Sequence, residues 1–263
     1  SLLTAGTYFF LIAAWVLSLR WWGQRLPYAP ALYIWFVTNL ARFIPGAVWQ
    51  FAGLAAMTMA RGVSPVAATG AVLIQQVVFL ATGMALTMIL LPQGLGGWAT
   101  GLPPGLGIVL VGLLMTSVVF LMPVLFPTLV RLTGRLFGWE LTLPAPRRSG
   151  LALYVLAMVV GWLAYGVAFW LFGRALLGDR APDLPLALGA FIGSYVLGLL
   201  AIFAPGGIVV REAALVAALS SRLGAPDAIL LAVASRLWLL TVEILTAGAV
   251  VCVTQLRRPA LQP

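Results

Sequence analysis

The chain contains no lysine and no histidine, and a single cysteine, Cys252. Without histidine a Ser-His-Asp triad cannot be built, and with one thiol there is neither a His/Cys metal cluster nor a disulfide framework. Acidic residues are also few: six Asp and Glu stand against fifteen basic residues, all of them arginine. Charged residues fill only 8% of the 263 positions, where a soluble domain uses about a quarter. Hydrophobic residues reach 63% and the mean hydropathy is +1.10. The bilayer is therefore the expected solvent, and a soluble catalytic domain is excluded. A net charge of +9 would point to nucleic acid in a soluble protein, but these arginines stand singly between apolar stretches and form no patch. Membrane orientation and anionic lipid account for them better. No cofactor is called for. Ser1 opens directly into an apolar run without a basic n-region or cleavage site, so a further segment upstream is expected.

Apolar runs long enough to span lie at about 1–19, 65–91, 105–122, 150–177 and 227–253. Two further apolar regions, about 30–60 and 185–223, are interrupted by Pro45-Gly46 and by Pro205-Gly206-Gly207, which should break the helix. An arm of about 15–20 residues rises roughly 22–30 Å, against a hydrocarbon core of about 30 Å, so a short arm barely crosses.

The two broken regions repeat one pattern: apolar arm, Pro-Gly break, second arm, Arg, short turn, Pro, long helix. Pro45 precedes Pro65 by 20 residues and Pro205 precedes Pro226 by 21. If both regions turn back within the membrane, Arg20, Arg25, Arg61, Arg131, Arg135, Arg147, Arg148, Arg257 and Arg258 share one side, leaving Arg174, Arg180 and Arg222 opposite. If both cross, the same twelve divide six and six. The positive-inside rule favours the first arrangement with the nine-arginine side cytoplasmic. The expected fold is an all-α polytopic membrane protein of two inverted repeats, each with a Pro-Gly-broken re-entrant helical hairpin. It forms a single transmembrane domain over 1–263: repeat one at about 1–91, a linking helix and interfacial segment at 105–149, and repeat two at about 150–253. Re-entrant backbone survives only beside protein or a wet cavity, so the fold itself implies a cavity. Arg131 and Arg135, one turn apart between about 127 and 141, read as part of an interfacial helix or as a gatherer of headgroups.

Arg42, Arg211, Glu212, Arg236 and Glu243 fall inside apolar segments, where each costs about 2.5–3.5 kcal/mol near the bilayer centre. Glu212 lies twelve residues before Gly224 and Arg236 twelve after it, so antiparallel helices bring them to one depth and a salt bridge is expected. Arg211, about 100° around the helix, faces elsewhere; Glu243, two turns beyond Arg236, is too far to join the pair. The plain alternative is that these charges only lock helices together. For Arg211 and Arg42 a binding role is stronger, because each stands within a turn or two of a break. A helix starting after Gly206 and Gly207 offers free N–H groups and a positive dipole end to phosphate or carboxylate; Gly46 offers the same in the first half. Gln50, Gln75 and Gln76 form a neutral counterpart there, with Asn39 and Trp49 as further cavity candidates.

The runs at 39–61 (NLARFIPGAVWQFAGLAAMTMAR) and 204–215 (APGGIVVREAAL), followed by Ser235-Arg236, resemble the flippase-like transmembrane domain of the lysylphosphatidylglycerol synthase family and its stand-alone relatives. The likeness covers nearly the whole chain. It implies a multi-pass protein of a bacterial-type plasma (inner) membrane that moves lipids or lipid-linked molecules between leaflets. It also implies Arg42, Arg211, Glu212 and Arg236 as cavity residues. Relatives often carry an acidic residue near Gln75 or Gln76, and its absence here argues against a proton-linked step at that place. The soluble aminoacyl-transferring domain of the synthases is missing, so the chain is not expected to be an enzyme. The function expected is that of a lipid flippase or scramblase; the alternative is an ion-coupled transporter of a small anionic solute. Expected partners are membrane lipids with an anionic phosphate headgroup and no nucleic acid, with a homo-oligomer or a lipid-synthesising protein left open.

Overall fold

The computed structural model describes residues 1–44, 49–91, 147–201 and 203–256, with single positions at 121, 125 and 128 and with backbone alone at 42, 43, 255 and 256. Apart from those single positions, the linking helix expected at 105–122, the segment at 127–141 with Arg131 and Arg135, and the first break with Gly46 lie outside the described residues. All regular structure among the described residues is helical. Eight α-helices follow in order: α1 (Leu2–Leu19), α2 (Tyr28–Asn39), α3 (Trp49–Met59), α4 (Pro65–Leu90), α5 (Arg148–Leu177), α6 (Leu184–Leu200), α7 (Val210–Leu223) and α8 (Ala225–Leu256).

Four stretches are long and apolar enough to cross a membrane: Leu2–Trp22, Pro65–Leu90, Arg148–Arg180 and Ala225–Thr254. They coincide with four of the five expected plain spans. The other four helices are shorter. With 12 residues in α2 and 11 in α3, each rises only about 16–18 Å at 1.5 Å per residue, well below the thickness of the hydrocarbon core.

Local chemistry sets the boundaries. Ser64 accepts the Ala67 N–H through its hydroxyl at 3.2 Å, and Pro65 fills the first position of α4, where a missing N–H is harmless. The Ser64 N–H is held in turn by the Gln24 side-chain carbonyl at 3.1 Å. Gly224, at φ +78°, separates α7 from α8. After α6 the chain leaves helical geometry at Ala201 and forms a 3-10 turn over Pro205–Gly207. Leu40–Phe43 forms a 3-10 turn after α2, and this turn touches the Pro205–Gly207 turn.

The helices pack as a bundle in which α6 lies against α4, α5 and α7, and α8 reaches α1, α2, α5 and α7. Trp162 on α5 is fully buried, stacks on Phe79 of α4 with centroids 4.1 Å apart, and donates its indole N–H to the Phe79 carbonyl at 3.0 Å. Gly83 makes room for it: a Cβ there would stand 2.8 Å from the indole. Large apolar side chains such as Leu153, Leu171, Leu237 and Leu245 face outward, as lipid-facing surfaces do.

Candidate functional site

The bundle encloses a cavity of about 530 Å³ to which every one of the eight helices contributes, through Tyr8, Trp35, Gln50, Gln75, Tyr165, Phe191, Arg211 and Arg236 in chain order. A volume in this range suits a small-molecule ligand.

The second break places its charges as the spacing around Gly224 predicts. Glu212 Oε1 lies 3.3 Å from Arg236 Nη1, with side-chain exposures of 23% and 14%. Arg236 also donates from Nη2 to the carbonyl of Gly206, inside the 3-10 turn, at 3.0 Å. Glu212 is doubly used as well, since its Oε2 accepts the Val209 N–H at 2.7 Å. Around this helix start the N–H groups of Gly207 and Ile208 go to Ala204 and Pro205, and that of Val209, the residue before the helix, goes to the Glu212 carboxylate. Val209 itself sits at φ +71°, ψ −49°, a conformation that a β-branched residue rarely adopts.

Arg211, one residue before Glu212, projects to a different side. Its guanidinium carbon lies 4.4 Å from the centroid of the Tyr195 ring and 5.1 Å from that of Phe191, within the range of cation–π attraction. The rings belong to α6, which comes close to the break because Gly198 meets Gly207 there. A Cβ on Gly207 would stand 2.9 Å from the Gly198 Cα, and a Cβ on Gly198 would stand 3.2 Å from the Arg211 Cβ. Glycine at both positions sets the depth at which Arg211 meets the rings.

From the first half, Asn39, Gln50, Gln75 and Gln76 line the cavity, as do Gly206, Gly207, Arg211 and Arg236 from the second. Trp49, next to Gln50, is not among the lining residues and is 54% exposed. Arg42 lies on the 3-10 turn beside the second break. Glu243, which spacing left without a role, is 3% exposed and accepts a hydrogen bond from the Asn39 amide across 204 positions of sequence. The sequence reading missed this contact and the ring platform of Phe191 and Tyr195. No periodicity points from either to its partner, because both depend on how distant helices pack.

A second hollow, of about 770 Å³, lies between α7 and α8. Its walls are apolar, with Ile208, Val209, Val216, Ile229 and Val233 among them, and Glu212, Arg236 and Leu240 also line it. Arg236 and Leu240 line the central cavity too, so they form a partition common to both spaces. Among the described residues no group of three from Asp, Glu and Cys is placed to hold a metal ion. No family model, curated protein or solved structure matches this chain.

Proposed function

We propose that the chain is a lipid translocator of the flippase or scramblase kind, moving a phospholipid or lipid-linked headgroup between the leaflets of a bacterial-type plasma membrane and performing no reaction of its own. The observation that carries this reading is the common partition. A charged cavity suited to a headgroup adjoins, at Arg236 and Leu240, an apolar groove whose walls include exposed Ile208, Val209, Ile229 and Val233. A molecule with a phosphate at one end and acyl chains at the other fits both at once. A small anionic solute would use the cavity and leave the groove without purpose.

The finer architecture is part of the same proposal. Each repeat contains one broken helix pair, α2 with α3 and α6 with α7, that enters the membrane and returns. The repeats are inverted about the linking segment, and the turns at 40–43 and 205–207 meet inside the bilayer. Their contact and the shortness of α2 and α3 support this. The resemblance to the flippase-like domain of the lysylphosphatidylglycerol synthase family supports it from the sequence.

In this reading Arg211 is the principal phosphate contact. Its planar fork can bind two oxygens together, which a lysine ammonium cannot do, and the ring platform holds it toward the cavity. In vesicles carrying a labelled anionic phospholipid, Arg211→Lys should slow leaflet exchange and Arg211→Ala should nearly abolish it. Unchanged exchange by a well-folded Arg211→Ala protein would remove the assignment.

A further inference from the structure

In sequence the arginines stand singly, but the fold gathers five of them at one end of the bundle. Three of the stretches long enough to cross a membrane have an end there: Leu2–Trp22 stops at Trp22, while Pro65–Leu90 and Arg148–Arg180 begin. The Gln24 side-chain carbonyl, which holds the Ser64 N–H at 3.1 Å, ties the connection after α1 to the one before α4. Trp21 ties it to α5. Its ring lies 5.5 Å from that of Tyr154, and a Cβ on Gly150 would stand 3.0 Å from its indole nitrogen. Arg20, Arg25, Arg61, Arg147 and Arg148 each lie within three residues of one of these ties, and all five are exposed.

The chain brings almost no negative charge to this end. Its first acidic residue is Glu140, which lies outside the described residues and at most answers one of the five arginines. Of the others, Glu212 is engaged by Arg236 and Val209, and Glu243 is buried on the cavity wall. Asp179, Asp183 and Asp227 belong to the far end: the first two follow α5, whose 30 residues rise about 45 Å, and Asp227 pairs with Arg180 beside them at 2.6 Å. Arginine and aspartate balance there, with Arg174 also 3.4 Å from Asp179. Two of the five arginines stand at the unfavourable end of a helix for their sign, since Arg147 precedes α5 and Arg148 opens it, where the dipole is positive. Insertion explains which side such charges take. It does not explain what neutralises them there.

We propose that this end of the bundle is a docking surface for anionic phospholipid headgroups, which supply the charge that the chain lacks there. Its depth suits that partner. The arginines sit where apolar stretches end, at the level of the headgroups, together with Trp21 and Trp22, whose rings meet edge to face at 6.1 Å. The surface selects net charge rather than a particular headgroup, because five guanidiniums spread over three connections answer to charge and not to shape. These lipids stay in their own leaflet, outside the cavity, so the surface stands or falls apart from the translocator reading.

The protein is reconstituted in phosphatidylcholine bilayers holding traces of spin-labelled phosphatidylserine or spin-labelled phosphatidylcholine, and the immobilised fraction of each gives their relative affinity for its surface. Phosphatidylserine should be favoured about fivefold or more, the worth of roughly one arginine near a charged surface. The preference should shrink toward one in roughly 1 M salt, where the Debye length is only about 3 Å. Replacing Arg20, Arg25, Arg61 and Arg147 together by glutamine should remove most of it, and Arg222→Gln, at the far end, should leave it in place. Arg211→Ala, which the translocator reading makes inactive, should keep it too. The salt titration uses the unaltered chain and decides even if the fourfold variant does not fold. No preference, a preference unmoved by salt, or one lost in Arg211→Ala and kept in the fourfold variant would each overturn the surface; the last would show that the anionic lipid is held in the cavity. Binding of polyglutamate by the solubilised protein, with no preference among lipids, would overturn it in favour of an acidic protein segment.

Discussion

Arg236 joins two things that would otherwise have to be stabilised separately: a carboxylate one helix away and a backbone carbonyl within the break. Because both side chains of the Glu212–Arg236 pair are largely buried, removing one partner leaves an uncompensated charge in a poor solvent for it. Glu212→Gln or Arg236→Met alone should each destabilise by about 3–5 kcal/mol, and the double variant by clearly less than the sum. Thermal unfolding of the four proteins in detergent measures the coupling, and additive losses would show that the two charges act independently. The pair could be read from sequence because both residues belong to helices joined by one tight turn, so counting from Gly224 fixes their depth. The Asn39–Glu243 contact could not, since it spans two helices far apart in the chain and its register depends on the packing of the whole bundle.

The break between α6 and α7 stores strain at Val209 and uses Glu212 to hold it. A positive-φ valine costs on the order of 1–3 kcal/mol, and here it keeps its amide pointed at the carboxylate. Val209 is 71% exposed, so its side chain contributes little packing that would be lost on shortening. Val209→Gly should therefore raise stability by about 1 kcal/mol, with the relief of strain offset in part by the greater freedom of glycine when unfolded. A lower melting temperature would mean that the valine side chain, and not the backbone, is what the turn needs. The place of this element was legible from Pro205-Gly206-Gly207, because proline and two glycines cannot continue a helix. Its electrostatics were not. The position of Glu212, three residues after Val209, suits it to reach back over the first turn, and that local use competes with the open anion site which the dipole alone would suggest.

For the molecule as a whole, four apolar stretches long enough to cross and four helices too short or too broken to do so simply were both visible in the periodicity and punctuation of the sequence. That all eight would wall one cavity was visible only as a requirement, since non-helical backbone within a bilayer needs a protein or aqueous lining. The proposed inverted-repeat arrangement makes a sharp demand on topology. In a Cys252→Ser background, thiols introduced at 61 and at 222 should react with an impermeant reagent from opposite sides of sealed vesicles, 61 from the cytoplasmic one. Reaction from the same side would remove the inversion. The contact between Gly198 and Gly207 carries a consequence of another sort, for how far the chain tolerates change. Gly6 in α1 and Gly248 in α8 have nothing within 4 Å of where a Cβ would stand, and alanine there should be neutral or better, by up to about 1 kcal/mol. Gly207 has backbone at 2.9 Å and a φ of +68°, so no other residue fits. In a saturation scan the two kinds of glycine would separate cleanly, and the intolerant positions would trace, from growth data alone, the line along which two helices approach to carry Arg211 into the cavity.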